Sequence, residues 1–133
     1  MKTIVIAACA LYVFSGCAPV AQNGGGSSAS QPSDTVSCTS GVSCQNIGLS
    51  HAGKGTEKHY AIAAKYFKRA CDYGMDEGCN NLAFLYANAR GVKQSYTQAY
   101  RYWGMACRMG NQSACANLEL AKEKVVEMHR KSK

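Results

Sequence analysis

The run RACDYGMDEGC at residues 69–79 returns as MACRMGNQSAC at residues 105–115. Both read A-C-x-x-G-x-x-x-x-C. Cys71 to Cys107 is 36 residues, and so is Cys79 to Cys115. A unit of this length at a fixed period is the mark of a solenoid, in which no unit buries its apolar face alone and stacking is obligatory. The expected fold is all-α: a short solenoid of helix pairs stapled by disulfides.

The identity of the two units extends on both sides of the cysteines. Residues 79–114 lie over residues 44–78 with one residue deleted near Lys54. Tyr60 then matches Tyr96, Ala63 matches Ala99, Tyr66 matches Tyr102, Phe67 matches Trp103, Ala70 matches Ala106 and Gly74 matches Gly110. In the first half of the unit Ile47 matches Leu82 and Leu118, and Asn46 matches Asn81 and Asn117. Leu82, Leu85, Tyr86 and Ala89 share a face at helical spacing and predict a first helix that Gly91 breaks. Tyr96, Ala99, Tyr100, Trp103 and Ala106 predict a second helix that Gly110 ends. The alanines allow close approach, and the aromatics fill the space between units.

Eight cysteines are present. Cys9 falls in the apolar leader and Cys17 at its end. The remaining six allow fifteen pairings. The repeat reduces these to one short-range pair per unit: Cys71–Cys79, Cys107–Cys115 and a contracted pair, Cys38–Cys44. In this register a bridge joins the end of one unit's second helix to the start of the next unit's first helix. A zinc site is the rival reading, but it requires tighter spacing and paired histidines. His51, His59 and His129 lack that spacing, and exposed turns explain them. No metal and no cofactor is expected.

The pattern A-x-x-Y-[FW]-x-x-A-C-x-x-G-x-x-x-x-C-x-N-L, followed by L-Y and R-G-V, resembles Sel1-like repeats. More narrowly it is similar to the 36-residue version found in the Helicobacter cysteine-rich protein family. The resemblance covers residues 38–120. In the first unit Ser50 and His51 stand where Leu85 and Tyr86 stand later, which predicts a polar N-terminal cap.

The start, MKTIVIAACALYVFSGCAPV, has one lysine and an apolar run of signal-peptide length, too short to span a bilayer comfortably. Phe14-Ser15-Gly16-Cys17 resembles a bacterial lipobox, with Phe14 where leucine is usual. The resemblance implies cleavage before Cys17 and lipidation of it, and Ala18 implies the outer membrane. An ordinary secretory signal is the alternative; both export the chain. Residues 17–37 are rich in glycine and serine and poor in apolar bulk, so they read as a flexible linker. The expected organisation is signal peptide 1–16, linker 17–37 and repeat domain 38–133. The domain holds repeats at about 44–78 and 79–114 and a capping helix at about 115–130.

Function has three readings. Stacked helix pairs form a concave groove. The face of the first helix opposite its core stripe carries Asn81, Phe84 and Asn88, with Asn46 and Asn117 at repeat-equivalent positions. Such amides can grip an extended peptide, since each donates and accepts; alternatively they cap helix starts or face water. The first reading is therefore a protein–protein interaction module in the cell envelope with an unknown protein or peptide ligand. The second, implied by the cysteine-rich family, is β-lactam binding or weak β-lactamase activity. The chain has no S-x-x-K, S-D-N or K-T-G, however, and Lys54-Gly55-Thr56 is no substitute. The third, implied by Sel1-like lipoproteins, is a periplasmic immunity protein. The net charge of +7 comes without aromatic–basic interleaving, so nucleic acid is not expected as a partner.

Overall fold

A computed structural model describes residues 37–133; the leader, the linker and Cys17 lie outside the described residues. Five helices follow one another: α1 (Gly41–Ala52), α2 (Glu57–Asp72), α3 (Asp76–Ala87), α4 (Tyr96–Arg108) and α5 (Gln112–Lys131). Among the described residues there is no strand, and no helix is long and apolar enough to cross a membrane. Each helix packs chiefly on its sequence neighbours, while α1 meets α3, and α3 meets α5, along narrower seams. The result is the stacked helix-pair solenoid that the repeat predicts.

Local chemistry sets the helix ends. Ser40, Thr56, Ser95 and Asn111 each accept a bond from a backbone N–H in the first turn of the following helix, satisfying donors that a helix start leaves unpaired. α3 begins after Met75 with no side-chain cap. Asn80 and Asn81 therefore do not cap it. They lie a turn inside. Both long second helices end identically. Gly74 and Gly110 take positive φ, 84° and 99°. Met75 N–H donates to the Ala70 carbonyl and Asn111 N–H to the Ala106 carbonyl, each at 3.0 Å. This left-handed stop reverses the chain without a Cβ penalty.

α3 ends differently from the expectation. Ala89 is not part of the core stripe. It is exposed with φ 53°, and Arg90 N–H donates to the Leu85 carbonyl at 3.0 Å. Alanine thus performs the left-handed stop that glycine performs elsewhere. Gly91 does not break the helix; it lies beyond it. Its φ is 66°, and a Cβ there would overlap the backbone of Tyr60 and Ala61 at the start of α2. Its N–H donates to Glu57 Oε2 at 2.6 Å. Two adjacent substitutions should therefore act oppositely. Ala89→Gly should stabilise by about 0.5–1 kcal/mol, and Gly91→Ala should destabilise by at least about 1–2 kcal/mol. Gly55, at the equivalent position, has φ 71° but open space around it, so Gly55→Ala should cost less. Thermal melts of the three variants test this.

Three apolar clusters run along the array. Cys38, Cys44, Ile62, Tyr66 and Ala70 join α1 to α2. Ala63, Ala64, Phe67, Leu82 and Leu85 join α2 to α3, with Tyr86 and Tyr102 packed against them. Ala83, Ala87, Ala99, Trp103, Ala106, Ala114 and Ala121 join α3, α4 and α5. The matched alanines Ala63 and Ala99, and Ala70 and Ala106, are all fully buried, as close helix approach requires. Tyr100 departs from the expected core. It is 40% exposed, because it lies on the outer edge of α4. His51 departs in the other direction. It is half-buried, with its ring 5.7 Å from that of His59 and 6.0 Å from that of Tyr66. The first unit's polar cap thus tucks a histidine against the core.

The disulfides are Cys38–Cys44, Cys71–Cys79 and Cys107–Cys115, with Cα–Cα separations of 5.0, 4.6 and 4.7 Å. Cys71 and Cys107 lie in the last turns of α2 and α4, and Cys79 and Cys115 in the first turns of α3 and α5. These two bridges clamp the turns between units, while Cys38–Cys44 ties the segment before α1 to its first turn. A further link ties the two clamped turns to each other. Asn111 Nδ2 donates to Asp76 Oδ2 at 2.9 Å, while its Oδ1 caps α5. That bond holds the Asp76 carboxyl below the usual carboxylate range. Its contribution is present above that range and is lost as pH falls through the depressed value.

Candidate functional site

Two first-type helices, α3 and α5, lie side by side with α4 behind them. The space between them is an open cavity of about 340 Å³. Phe84, Ala87 and Asn88 line it from α3 and its C-terminus. Asn117, Leu120 and Ala121 line it from α5, and Tyr96 and Trp103 form the floor from α4, with Glu123 and Lys124 at the rim. Phe84 is 53% exposed and Leu120 62%. Neither serves the core, so their apolar surface faces the groove.

Three of the five residues read from the sequence as groove residues meet here: Phe84, Asn88 and Asn117. Asn46, exposed on α1, and Asn81, half-buried on α3, lie outside this cavity's lining. They occupy the corresponding positions in earlier units. Asn88 Nδ2 donates to the Phe84 carbonyl at 2.9 Å, which ties that side chain to the end of α3 and leaves its oxygen available. A row of amides thus gives way to an apolar pair flanked by two amides.

Trp103, Tyr96 and Leu120 are the large apolar lining residues that the sequence reading did not place in the groove. For Leu120 the signal was present, since it stands 36 residues after Phe84. Trp103 was assigned to the core alone. It is 6% exposed and belongs to the core, yet one edge reaches the groove. Its Nε1–H donates to Asn80 Oδ1 at 3.0 Å. Asn80 therefore orients the indole rather than capping a helix.

Among the described residues no cluster of three or more histidine, cysteine, aspartate or glutamate side chains could hold a metal. The lining carries one carboxylate and one amine, Glu123 and Lys124, and no nucleophile beside a base.

The Sel1 repeat profile matches residues 42–74 and 76–111, together just over half of the chain. The chain belongs to the Sel1 repeat family. Sel1 repeats typically mediate protein–protein interaction, and the exposed apolar groove is in keeping with that. The chain is also similar to a Helicobacter pylori protein named "Putative beta-lactamase HcpE", at 48% identity over 33 residues. That stretch is 25% of this chain and 9% of the relative, so the chain covers a small part of that protein's length. No solved structure matches. Three disulfides in so small a Sel1 array belong to an oxidising compartment.

Proposed function

We propose that the protein is an exported lipoprotein whose Sel1 solenoid holds a protein or peptide partner in the groove between α3 and α5. The observation that carries this reading is the pairing of Phe84 and Leu120, both more than half exposed across one cavity and flanked by Asn88 and Asn117. Two apolar anchors favour a side chain seated between them, and the amides favour backbone N–H and C=O groups of an extended segment. The envelope setting is supported by the disulfides and by the lipobox-like Phe14-Ser15-Gly16-Cys17 that precedes the glycine–serine linker.

The test is affinity capture from envelope extracts, followed by binding measurements on variants of the full chain. Phe84→Ala and Leu120→Ala should each weaken binding of the captured partner by about tenfold, within the range for truncating an exposed apolar anchor. Neither should change the melting temperature. Undiminished binding by both variants would remove the groove from consideration. Mass spectrometry of the mature protein should find Cys17 at the N-terminus carrying acyl chains. A free, unmodified residue at another cleavage position would refute the lipoprotein part of the proposal.

The β-lactamase name of the Helicobacter pylori relative motivates a second reading, β-lactam binding or hydrolysis. Nitrocefin turnover by the purified protein decides it. Without a serine–lysine pair or a metal-ligand cluster among the described residues, no turnover above background is expected.

A further inference from the structure

Apart from the groove, α4 and α5 enclose a second cleft of about 280 Å³. Tyr100, Arg101, Gly104, Met105, Arg108 and Leu118 line it, with no carboxylate among them. Arg101 and Arg108 are exposed, and neither has a carboxylate within ion-pair distance among the described residues. The ion pairs of the described residues use Lys68, Lys122, Lys124 and Lys131 instead.

The preceding unit carries different chemistry at the same place. Ala64, Lys65, Lys68, Arg69, Asp72 and Leu82 stand at the six equivalent positions. There Lys68 pairs with Asp72 at 2.9 Å. Ala64 and Leu82 are buried in a cluster against which Tyr86 and Tyr102 pack. In the second unit the acid has become Arg108 and the lysine has become Gly104. A glycine inside a helix costs about 0.5–1 kcal/mol relative to alanine. Packing does not require it here. A Cβ on Gly104 would meet Arg108 Nη1 at 3.6 Å and Leu118 Cδ1 at 3.7 Å, ordinary contact distances. Without a side chain at Gly104, the Arg108 guanidinium lies over the backbone of α4 in this cleft.

We infer that this cleft binds an acidic peptide segment of a partner protein, independently of the α3–α5 groove. Arg101 and Arg108 are seven residues apart on one helix face, about 10 Å along the axis. Carboxylates three residues apart on a polyproline-II segment share a face at about 9 Å, so one such segment reaches both guanidiniums. Each guanidinium can then donate paired N–H bonds to one carboxylate. Tyr100, Met105 and Leu118 offer apolar surface to the chain between them. A single phosphate or lipid headgroup needs donors converging on one point, whereas Arg101 and Arg108 leave α4 about two turns apart.

Fluorescence anisotropy on the full chain tests this. The probe is a labelled dodecapeptide with two glutamates three residues apart, separated by proline and leucine. It should bind more tightly than its Glu→Gln counterpart, and added salt should weaken it. Arg101→Gln/Arg108→Gln should weaken it by about tenfold, the effect of losing two exposed charge contacts. Gly104→Leu should do the same by filling the floor, with a melting temperature no lower than the parent's. Phe84→Ala should leave it unchanged. Equal binding of the two peptides would overturn the inference, as would full binding by Gly104→Leu. So would Arg101- and Arg108-dependent binding to phosphatidylglycerol vesicles without peptide binding, which would assign the cleft to a lipid surface.

Discussion

Trp103→Ala is expected to lower the melting temperature of the oxidised protein by on the order of 10–20 °C, while Phe84→Ala leaves it nearly unchanged. Trp103 is 6% exposed and packs where α3, α4 and α5 meet. Its truncation removes a large apolar surface and leaves a cavity lined by alanines, which cannot move to fill it. Losses of this kind cost about 3–5 kcal/mol. It also strips Asn80 of its donor partner at 3.0 Å, which Trp103→Phe does alone for about 1 kcal/mol. Phe84 is 53% exposed and already partly solvated, so its removal empties no core. Because Trp103 forms part of the groove floor, its alanine variant should lose partner binding even when assayed well below its melting point. If Phe84→Ala melts as early as Trp103→Ala, the assignment of Phe84 to the groove rather than the core is wrong.

Breaking the central bridge should cost nearly as much. Cys71→Ala/Cys79→Ala opens a nine-residue loop and is expected to destabilise by about 2–3 kcal/mol on the chain-entropy estimate. Cys71 and Cys79 are 3% and 0% exposed and lie inside the cluster that joins α3 to α4. The Cys107–Cys115 pair is only half-buried, so its removal should cost less. Full reduction removes all three clamps from an array with few inter-unit faces. The reduced protein should lose its cooperative thermal transition near physiological temperature, since whole-domain stabilities are only about 5–15 kcal/mol. Far-ultraviolet circular dichroism with and without reductant measures this. A reduced protein that melts like the oxidised one would show that packing alone holds the Sel1 stack.

Much of the fold was legible because a repeat is a one-dimensional signal. The 36-residue period, the alanine pairs Ala63/Ala99 and Ala70/Ala106, and the glycines at 74 and 110 all repeat in register. Each performs the same local task in each unit, so neither long-range contact nor topology had to be guessed. The pairing of the cysteines followed for the same reason: a short bridge at a repeated turn involves only local geometry.

What was read wrongly depended on which neighbour a residue met. Ala89 fits a helical stripe by spacing, yet the chain leaves the helix two residues earlier and uses it as a left-handed stop. Gly91 looked like a helix breaker. Its place is decided by the backbone of α2 pressed against it, a contact with a segment about thirty residues away. Tyr100 has core spacing but faces outward, because no helix among the described residues covers that edge of α4.

By itself, then, the sequence determined the helix pairs, their period, the glycine stops of α2 and α4 and the disulfide clamps, since each rests on interactions within a few residues or within one repeated unit. Only the tertiary structure decided which of the repeated surface residues share a cavity. Asn46, Asn81 and Asn117 are equivalent in sequence, but only Asn117 lies beside Phe84, Asn88 and Leu120. The physical reason is that a groove belongs to two helices at once. Its composition is set by how far one unit is offset and rotated against the next, and that geometry comes from the packing of Trp103 and the small alanines between them.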